Sequence, residues 1–394
     1  FPYTTLFRST CSLDAERCFD SIWHSGLFYK LMNTLPLSHW MFLYRWYSNM
    51  QAIIKMHGEY SECFQVTQGT RQGSVLSPRL FTIFIHDLLS ELQFSDNGVM
   101  VGNQKCNNCA YADDITVFST SIPGLQSLID ICHLYAKRWR FNFGIKKTKC
   151  MDIGSSVFSD GQRPTWKLGN KDLSTEDSLN ILGVTFTKDN KYHSHITNRI
   201  SSARRSMYRL CAAGFTYPGL DTSAKVHLWN TIGVPSLTYG MESVHLTNQQ
   251  HNCLNSTQAC ILKASMGLGK RYRHSKLLKA VEVPLISEVI KANSLSLLYR
   301  CSKSNSVYRS LCSYLLASYM VKGNRVQHTL VDRVISSGSA PLSTFLYPAD
   351  QVMPSLEGEN DGVVDSLHYL VHHPSFNQRG SIQHNLATLL LRSF

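Results

Sequence analysis

The stretch Cys109-Ala110-Tyr111-Ala112-Asp113-Asp114-Ile115-Thr116-Val117-Phe118 sets two adjacent carboxylates between apolar and β-branched residues. Such flanks predict two short strands with the acidic pair at the turn between them. Adjacent carboxylates at a hairpin tip repel each other, so folding gains little from them and a bridging cation would offset the cost. Hard oxygen ligands suit Mg²⁺, which takes one or two carboxylates and completes its shell with water and substrate phosphate. A bare Asp-Asp pair is more often an ordinary polar turn. The rest of the chain therefore decides the reading.

Upstream lies Ser12-Leu13-Asp14-Ala15-Glu16-Arg17-Cys18-Phe19-Asp20, and between the two lies Gln68-Gly69-Thr70-Arg71-Gln72-Gly73-Ser74-Val75-Leu76-Ser77-Pro78. In this order and spacing the three stretches resemble motifs A, B and C of a reverse transcriptase palm. Tyr111-Ala112-Asp113-Asp114, with Arg71-Gln72-Gly73-Ser74-Val75-Leu76-Ser77-Pro78 before it, resembles the LINE-type (non-LTR) retrotransposon enzymes in particular. The resemblance implies an α+β fold: a polymerase right-hand palm, with an antiparallel sheet packed by helices, then a helical thumb and a mostly helical C-terminal extension. It implies an RNA-directed DNA polymerase with an RNA template, a DNA primer and deoxynucleoside triphosphates as partners. Asp14, Asp113 and Asp114 would then hold two Mg²⁺ ions (Mn²⁺ possible) that clamp an in-line phosphoryl transfer.

Local pattern supplies the remaining expectations. Ser12 and Leu13 end a core strand and put Asp14 at its C-terminal end, although an Asp there would also serve as an N-cap. Phe19, Ile22, Trp23 and Leu27 follow helical spacing, which predicts a helix starting soon after Asp14. Glu16 and Asp20 read as surface charges on it. Phe19 is locally a core aromatic, whereas the resemblance places it as the gate that excludes a ribose 2′-hydroxyl. From Phe28 to Phe64 an aromatic-rich amphipathic helix and the strands Ile53–Met56 and Cys63–Val66 suggest packing rather than chemistry.

In motif B, Gly69 and Gly73 remove side chains where backbone approaches a nucleotide, and Arg71 and Gln72 are donors to base, sugar or phosphate. The resemblance groups Ala15, Phe19, Gln72 and Gly73 at the nucleotide and Arg71 on nucleic acid. Ser77-Pro78 opens a helix with Ser as cap, burying Leu80, Phe81, Phe84, Ile85 and Leu88.

A second helix is expected on Leu125, Leu128, Ile129, Cys132, Tyr135 and Trp139, followed by a basic cluster. Phe141–Lys149 resembles motif D, whose lysine is a general acid toward departing pyrophosphate; Lys147 is the first choice and Lys149 the second. Leu182-Gly183-Val184 resembles motif E, the primer grip. Arg199, Arg204, Arg205 and Arg209 lie on a predicted helix, and Arg205 and Arg209 share a face suited to a duplex backbone. Val234–Glu242 resembles a stretch found after the thumb in LINE-type elements, with no chemistry attached. Lys263, Lys270, Arg271, Arg273, Lys276 and Lys279, with Tyr272 and His274 interleaved, form a further basic run suited to RNA.

A chain of 394 residues with formal net charge +12 favours polyanionic partners. No apolar run reaches the roughly 20 residues of a membrane span. The twelve cysteines lack a disulfide framework, and Cys106/Cys109 and Cys253/Cys260 lack the further ligands a zinc site needs. A reducing compartment, nucleus and cytoplasm, is expected. The expected divisions are 1–9, reading as a translated cloning adapter, 10–190 palm, 191–250 thumb and 251–394 extension. Fingers motifs and an endonuclease domain are not readable upstream of motif A, so the chain is expected to be an N-terminally truncated fragment. The competing readings are an inactive fragment that only binds template–primer and a two-metal nuclease.

Overall fold

The computed structural model describes residues 9–101, 104–153, 163–189, 192–244 and 246–303. The expected adapter segment (apart from Ser9) and most of the C-terminal extension lie outside the described residues. Strand β1 (Ser9–Asp14) opens the fold and alternates as a strand should: Cys11 and Leu13 are buried on one face, while Thr10, Ser12 and Asp14 share the other. No helix follows directly, in contrast to the expectation. The amides of Ala15 and Glu16 bond to the carbonyls of Asp113 and Asn142, and the carbonyls of Phe19 and Ile22 accept from Thr70 and Gly69. Peptide groups committed to distant partners cannot start a helical ladder, so α1 begins only at His24 (His24–Met32).

Helix α2 (Leu37–Ser48) buries only Tyr47 fully; Trp40 and Leu43 are half-covered, and Phe42 is 67% exposed. The packing expected of this segment is thus confined to one edge of the helix. The two strands expected after it are instead four short ones: β2 (Gln51–Ala52) pairs β5 (Phe64–Gln65), and β3 (Lys55–Met56) pairs β4 (Glu59–Tyr60). Helix α3 (Ser77–Phe94) buries Leu80, Phe81, Phe84, Ile85 and Leu88 as its spacing predicted. Ser77 is not its cap, since its hydroxyl donates to the Arg71 carbonyl (2.6 Å) and ties the helix to motif B instead.

The hairpin β6 (Val99–Val101) and β7 (Gln104–Cys106) precedes β8 (Asn108–Tyr111) and β9 (Asp114–Ser119). Helix α4 (Ile122–Arg138) is capped by Ser121, whose Oγ accepts from Gly124 N–H (3.1 Å). Then come β10 (Lys149–Asp152), β11 (Trp166–Leu168), β12 (Lys171–Thr175) and the hairpin β13 (Ser178–Ile181) and β14 (Val184–Thr187). The rest is helical: α5 (His193–Ala212), α6 (Thr222–Leu228), a π-helical turn at Trp229–Gly233, α7 (Val234–Thr238), α8 (Asn248–Ser265), α9 (His274–Ala280) and α10 (Ile286–Ser302).

The main sheet runs β11-β12-β10-β1-β9-β8, antiparallel at every pairing except β10–β12. One face packs Cys11, Leu13, Ile115, Val117 and Cys150 against α1, α3 and α4. On the other face Phe118 and Met151 join a second core with Leu179, Val184 and Phe186 of the β13–β14 hairpin and Ile196, Met207, Trp229, Leu254 and Leu298 of the helices. Helices on either side of residue 250 therefore share one core. The fold is a mixed one in which helices pack on a largely antiparallel sheet.

Lys30 ties the first face together. Its buried ammonium donates to the Phe84 carbonyl (2.6 Å) and to Tyr135 Oη, pairs with Asp87 (2.9 Å) and lies 3.8 Å from the Trp139 ring centre. Tyr135 Oη also donates to the Phe84 carbonyl (2.7 Å). Lys30→Ala should destabilise the chain by about 2–4 kcal/mol through lost packing of the stem and cation–π contacts. Lys30→Met should cost less than about 1 kcal/mol, because the carbonyl keeps Tyr135 and a packed apolar stem replaces the buried charge. Equal losses for both variants in denaturant unfolding would overturn this assignment.

Candidate active site

Strands β1 and β9 pair so that Asp14 stands directly opposite Asp114. Opposed residues of an antiparallel ladder lie on one face with Cβ atoms about 5 Å apart, and like charges there repel. Parity puts both on the face that carries Phe118 and Met151 deeper in the sheet. The β8–β9 turn closes through Ala112 in the left-handed region (φ +52°), which sets Asp113 at the tip. The Asp113 carbonyl accepts the Ala15 amide (3.4 Å), docking the tip on the end of β1.

The Phe141–Gly144 segment completes the opposite side. Ala15 bridges Phe143, Glu16 N–H donates to the Asn142 carbonyl (2.9 Å), and Gly144 N–H donates to the Asp14 carbonyl (2.9 Å). A Cβ on Gly144 would meet Glu16 Oε1 at 3.3 Å and Asp14 Oδ2 at 3.6 Å, so glycine keeps the carboxylate edge open. A tight turn then brings Lys147 back, its Nζ 3.0 and 3.2 Å from the two Asp14 oxygens. Of the two lysines weighed for motif D, Lys147 reaches the carboxylates, while Lys149 pairs with Glu176 (3.3 Å).

The electrostatics are those of crowded acids. Partial burial, then the charges of Asp113 and Asp14, hold the Asp114 carboxyl above the usual range, with Lys147 opposing. The hydrogen bond and charge of Asp14 raise Lys147. Burial, then the Asp113 charge, pushes the neighbouring Cys18 thiol up to about 12. Among the described residues no three Asp, Glu, His or Cys side chains stand ready around one metal position. The donor chemistry nonetheless fits a hard divalent cation: three carboxylates at one strand end, one raised by the others, with an ammonium on Asp14.

Motif B packs on the turn after β1. Gly69 N–H donates to the Ile22 carbonyl (2.8 Å), Thr70 N–H to that of Phe19 (2.7 Å), and Gln72 Nε2 to Asp20 Oδ1 (2.8 Å). Asp20 is thus a surface charge that fastens motif B to motif A. Gly69 sits at φ +86° with a would-be Cβ 2.8 Å from the Asp20 carbonyl oxygen, whereas Gly73 at φ +79° faces open space. Gly69 therefore answers to the fold, while no neighbour of the fold requires a glycine's missing side chain at Gly73. Phe19 is half-buried, its ring 5.3 Å from that of Phe81. Ala15, expected at the nucleotide, is 2% exposed, so its side chain belongs to the core. Arg71 stacks over Trp46 (5.3 Å) beside Met50.

Leu182 and Gly183 form the β13–β14 turn, at φ +49° and +77°. Arg205 and Arg209 are exposed on α5. Lys263, counted in the basic run, is buried instead. Its ammonium donates to the Lys270 carbonyl (3.2 Å) and to that of Tyr272, closing the loop that carries the exposed Lys270, Arg271 and Arg273. Sequence reasoning missed the strand-like role of Asn142–Gly144 and the part played by His195 and Tyr239 at the β13–β14 turn. The Tyr239-Gly240 pair in the otherwise unassigned stretch was the one available signal.

The site is thus a sheet with paired carboxylates at one strand end, flanked by a glycine-bearing loop and a basic turn. Residues 6–186 match the reverse transcriptase (RNA-dependent DNA polymerase) family. This part of the chain is a reverse transcriptase domain of the LINE, non-LTR type. The chain is 24% identical over 286 residues to the RNA-directed DNA polymerase from mobile element jockey of Drosophila melanogaster, covering 71% of this chain and 30% of the relative. It is 26% identical over 294 residues to the corresponding Drosophila funebris protein, covering 72% and 31%. It is 31% identical over 195 residues to the Pol polyprotein of a type-2 retrotransposable element of Drosophila melanogaster, covering 46% and 18%. The chain thus spans about a third of the length of the jockey relatives. Among the described residues no helix is long and apolar enough to cross a membrane.

Two outcomes follow from this geometry. Gly69→Ala should cost clearly more stability in chemical unfolding than Gly73→Ala, which carries only the left-handed backbone penalty of about 1 kcal/mol; equal costs would refute the contact with Asp20. Lys147→Met should bind Mn²⁺ about two- to five-fold more tightly, since an exposed ion pair competes only weakly for Asp14. Unchanged affinity by paramagnetic titration would show that Lys147 and cation do not compete.

Proposed function

We propose that this domain extends a DNA primer on an RNA template, as an RNA-directed DNA polymerase. The observation that carries the reading is the Asp14–Asp114 pairing with Asp113 at the adjoining tip and Lys147 on the same edge. Asp14, Asp113 and Asp114 hold Mg²⁺ (two ions; Mn²⁺ serves as well). When bound, the ions supply the positive charge that activates the primer 3′-hydroxyl and neutralises the pyrophosphate.

Lys147, on its flexible stem beside Asp14, gives a proton to the departing pyrophosphate. Phe19 limits the room beneath the incoming sugar from its seat on Phe81, selecting deoxynucleotides. Gln72 and the bare backbone at Gly73 face the nucleotide, and Arg71 lies along the nucleic acid with its plane fixed by Trp46. The sheet and helices of 10–190 act as palm and residues 191–250 as thumb, with the exposed Arg205 and Arg209 following the duplex backbone and Leu182-Gly183 seating the primer end. Residues 251–394 make up the C-terminal extension, and the exposed cations Lys270, Arg271, Arg273, Lys276 and Lys279 add an electrostatic surface for RNA. The proposed setting is the nucleus and cytoplasm.

The test is primer extension on an RNA template with deoxynucleotides and Mg²⁺, beside Asp113→Asn/Asp114→Asn. Loss of transition-state charge stabilisation worth several kcal/mol should cut extension by about a thousand-fold or more, while template–primer binding by anisotropy stays within a few-fold. Extension that persists in the double variant would defeat the assignment of the carboxylates. Binding without extension in the unaltered chain would favour a template–primer binding role.

A further inference from the structure

The β13–β14 turn is held from outside the stretch that matches the family. Leu182 and Gly183 both adopt positive φ, a mirror-image turn that leaves the Leu182 carbonyl pointing outward. Tyr239, just past α7 and more than fifty residues further on, donates its hydroxyl to that carbonyl (2.8 Å). Its ring edge lies where a Cβ on Gly183 would come within 3.2 Å, so ring and turn are in direct contact.

Tyr239 is itself fixed from below. His195 of α5 is fully buried, and its Nδ1 accepts from the Thr185 amide (3.3 Å) in β14. An accepting Nδ1 leaves the proton on Nε2, which donates to the Tyr239 carbonyl (3.1 Å). A Cβ at position 240 would come within 2.7 Å of His195 Nε2, and Gly240 sits at φ +86°. The sequence Tyr239-Gly240 is thereby explained: the tyrosine reaches the turn and the glycine lets the chain pass over the histidine. Asn198 Nδ2 also donates to Thr185 Oγ1 (3.4 Å), and the Arg199 guanidinium lies 5.5 Å from the Tyr239 ring centre. The ring remains 46% exposed, so an aromatic face beside a cation borders the turn.

We propose that Tyr239 is a positioning residue of the primer seat: its hydroxyl and ring, locked by His195, hold the Leu182–Gly183 turn in its mirror-image form against the primer end. This rests on the reading of that turn as the place where the primer is gripped. A two-residue turn of a two-stranded hairpin is otherwise free to flex. The clasp couples it to α5, so the seat and the helix bearing Arg205 and Arg209 move as one body.

The experiment uses the full chain and an RNA template–DNA primer duplex with 2-aminopurine at the primer 3′ terminus. Tyr239→Phe, which removes only the hydroxyl, should weaken duplex binding about five-fold, the worth of one net hydrogen bond. It should also diminish the fluorescence change at the primer end. Affinity for the single-stranded template should stay as in the unaltered chain, which a merely structural role would not predict. Gly183→Ala, which disturbs the turn itself, separates the two layers of the argument. If it weakens the primer-end signal while Tyr239→Phe does not, the clasp is overturned and the primer seat stands. If neither variant alters primer-end fluorescence or duplex affinity, the primer-seat reading falls and takes the clasp with it.

Discussion

The pairing of β1 with β9 is the constraint on which the site depends. A strand has a period of two, so a slip of one residue would turn Asp14 away from Asp114 and send Leu13 and Cys11 out of their core. The apolar residues on one face and the carboxylates on the other are therefore set by the same register. Hydrophobic burial does the stabilising, and the geometry of the carboxylates comes with it. The neighbouring pairing with β10 adds a second fix, since Ser12 opposite Lys149 leaves only a short turn between the strand and Lys147.

At the far end of that register the chain holds like charges together. Asp114 is raised by its partial burial and then by the other two carboxylates, and Lys147 is drawn onto Asp14. The strand end thus carries more negative charge than positive, with one ammonium within reach of it. Lys147 is largely exposed and its ion pair is one that solvent weakens readily, so the contact can open without disturbing the strands.

The convergence of the carboxylates was more legible in the sequence than the scaffold that carries them. Asp14, Asp113, Asp114 and the glycine loop stood out by their order and spacing, and the structure brings the three carboxylates to one strand end. The buried faces of α3 and α4 were readable from period 3.6. What failed was local pattern under tertiary override. Phe19, Ile22 and Trp23 have helical spacing, yet their backbone serves motif B, and the helix waits until His24. Lys263 looked like its cationic neighbours and is instead an internal strut. The clasp at Tyr239 left only the Tyr239-Gly240 pair as a signal, because nothing in a linear sequence announces that a tyrosine will meet a turn more than fifty residues away.

The hairpin also shows that a family boundary need not be a folding boundary. The matched stretch ends at residue 186, within β14. Leu179, Ile181, Val184 and Phe186 nevertheless bury their side chains in the same core as Ile196, Met207, Trp229, Leu237 and Leu254. An isolated two-stranded hairpin is at best marginally stable in water, so β13 and β14 take their order from the helices that follow. The same core reaches Phe118 and Met151, on the very face of the sheet that carries Asp14 and Asp114 at its strand end. Loss of packing in the helical half would therefore loosen the hairpin and the carboxylate face together, even though no residue of that half belongs to the three motifs.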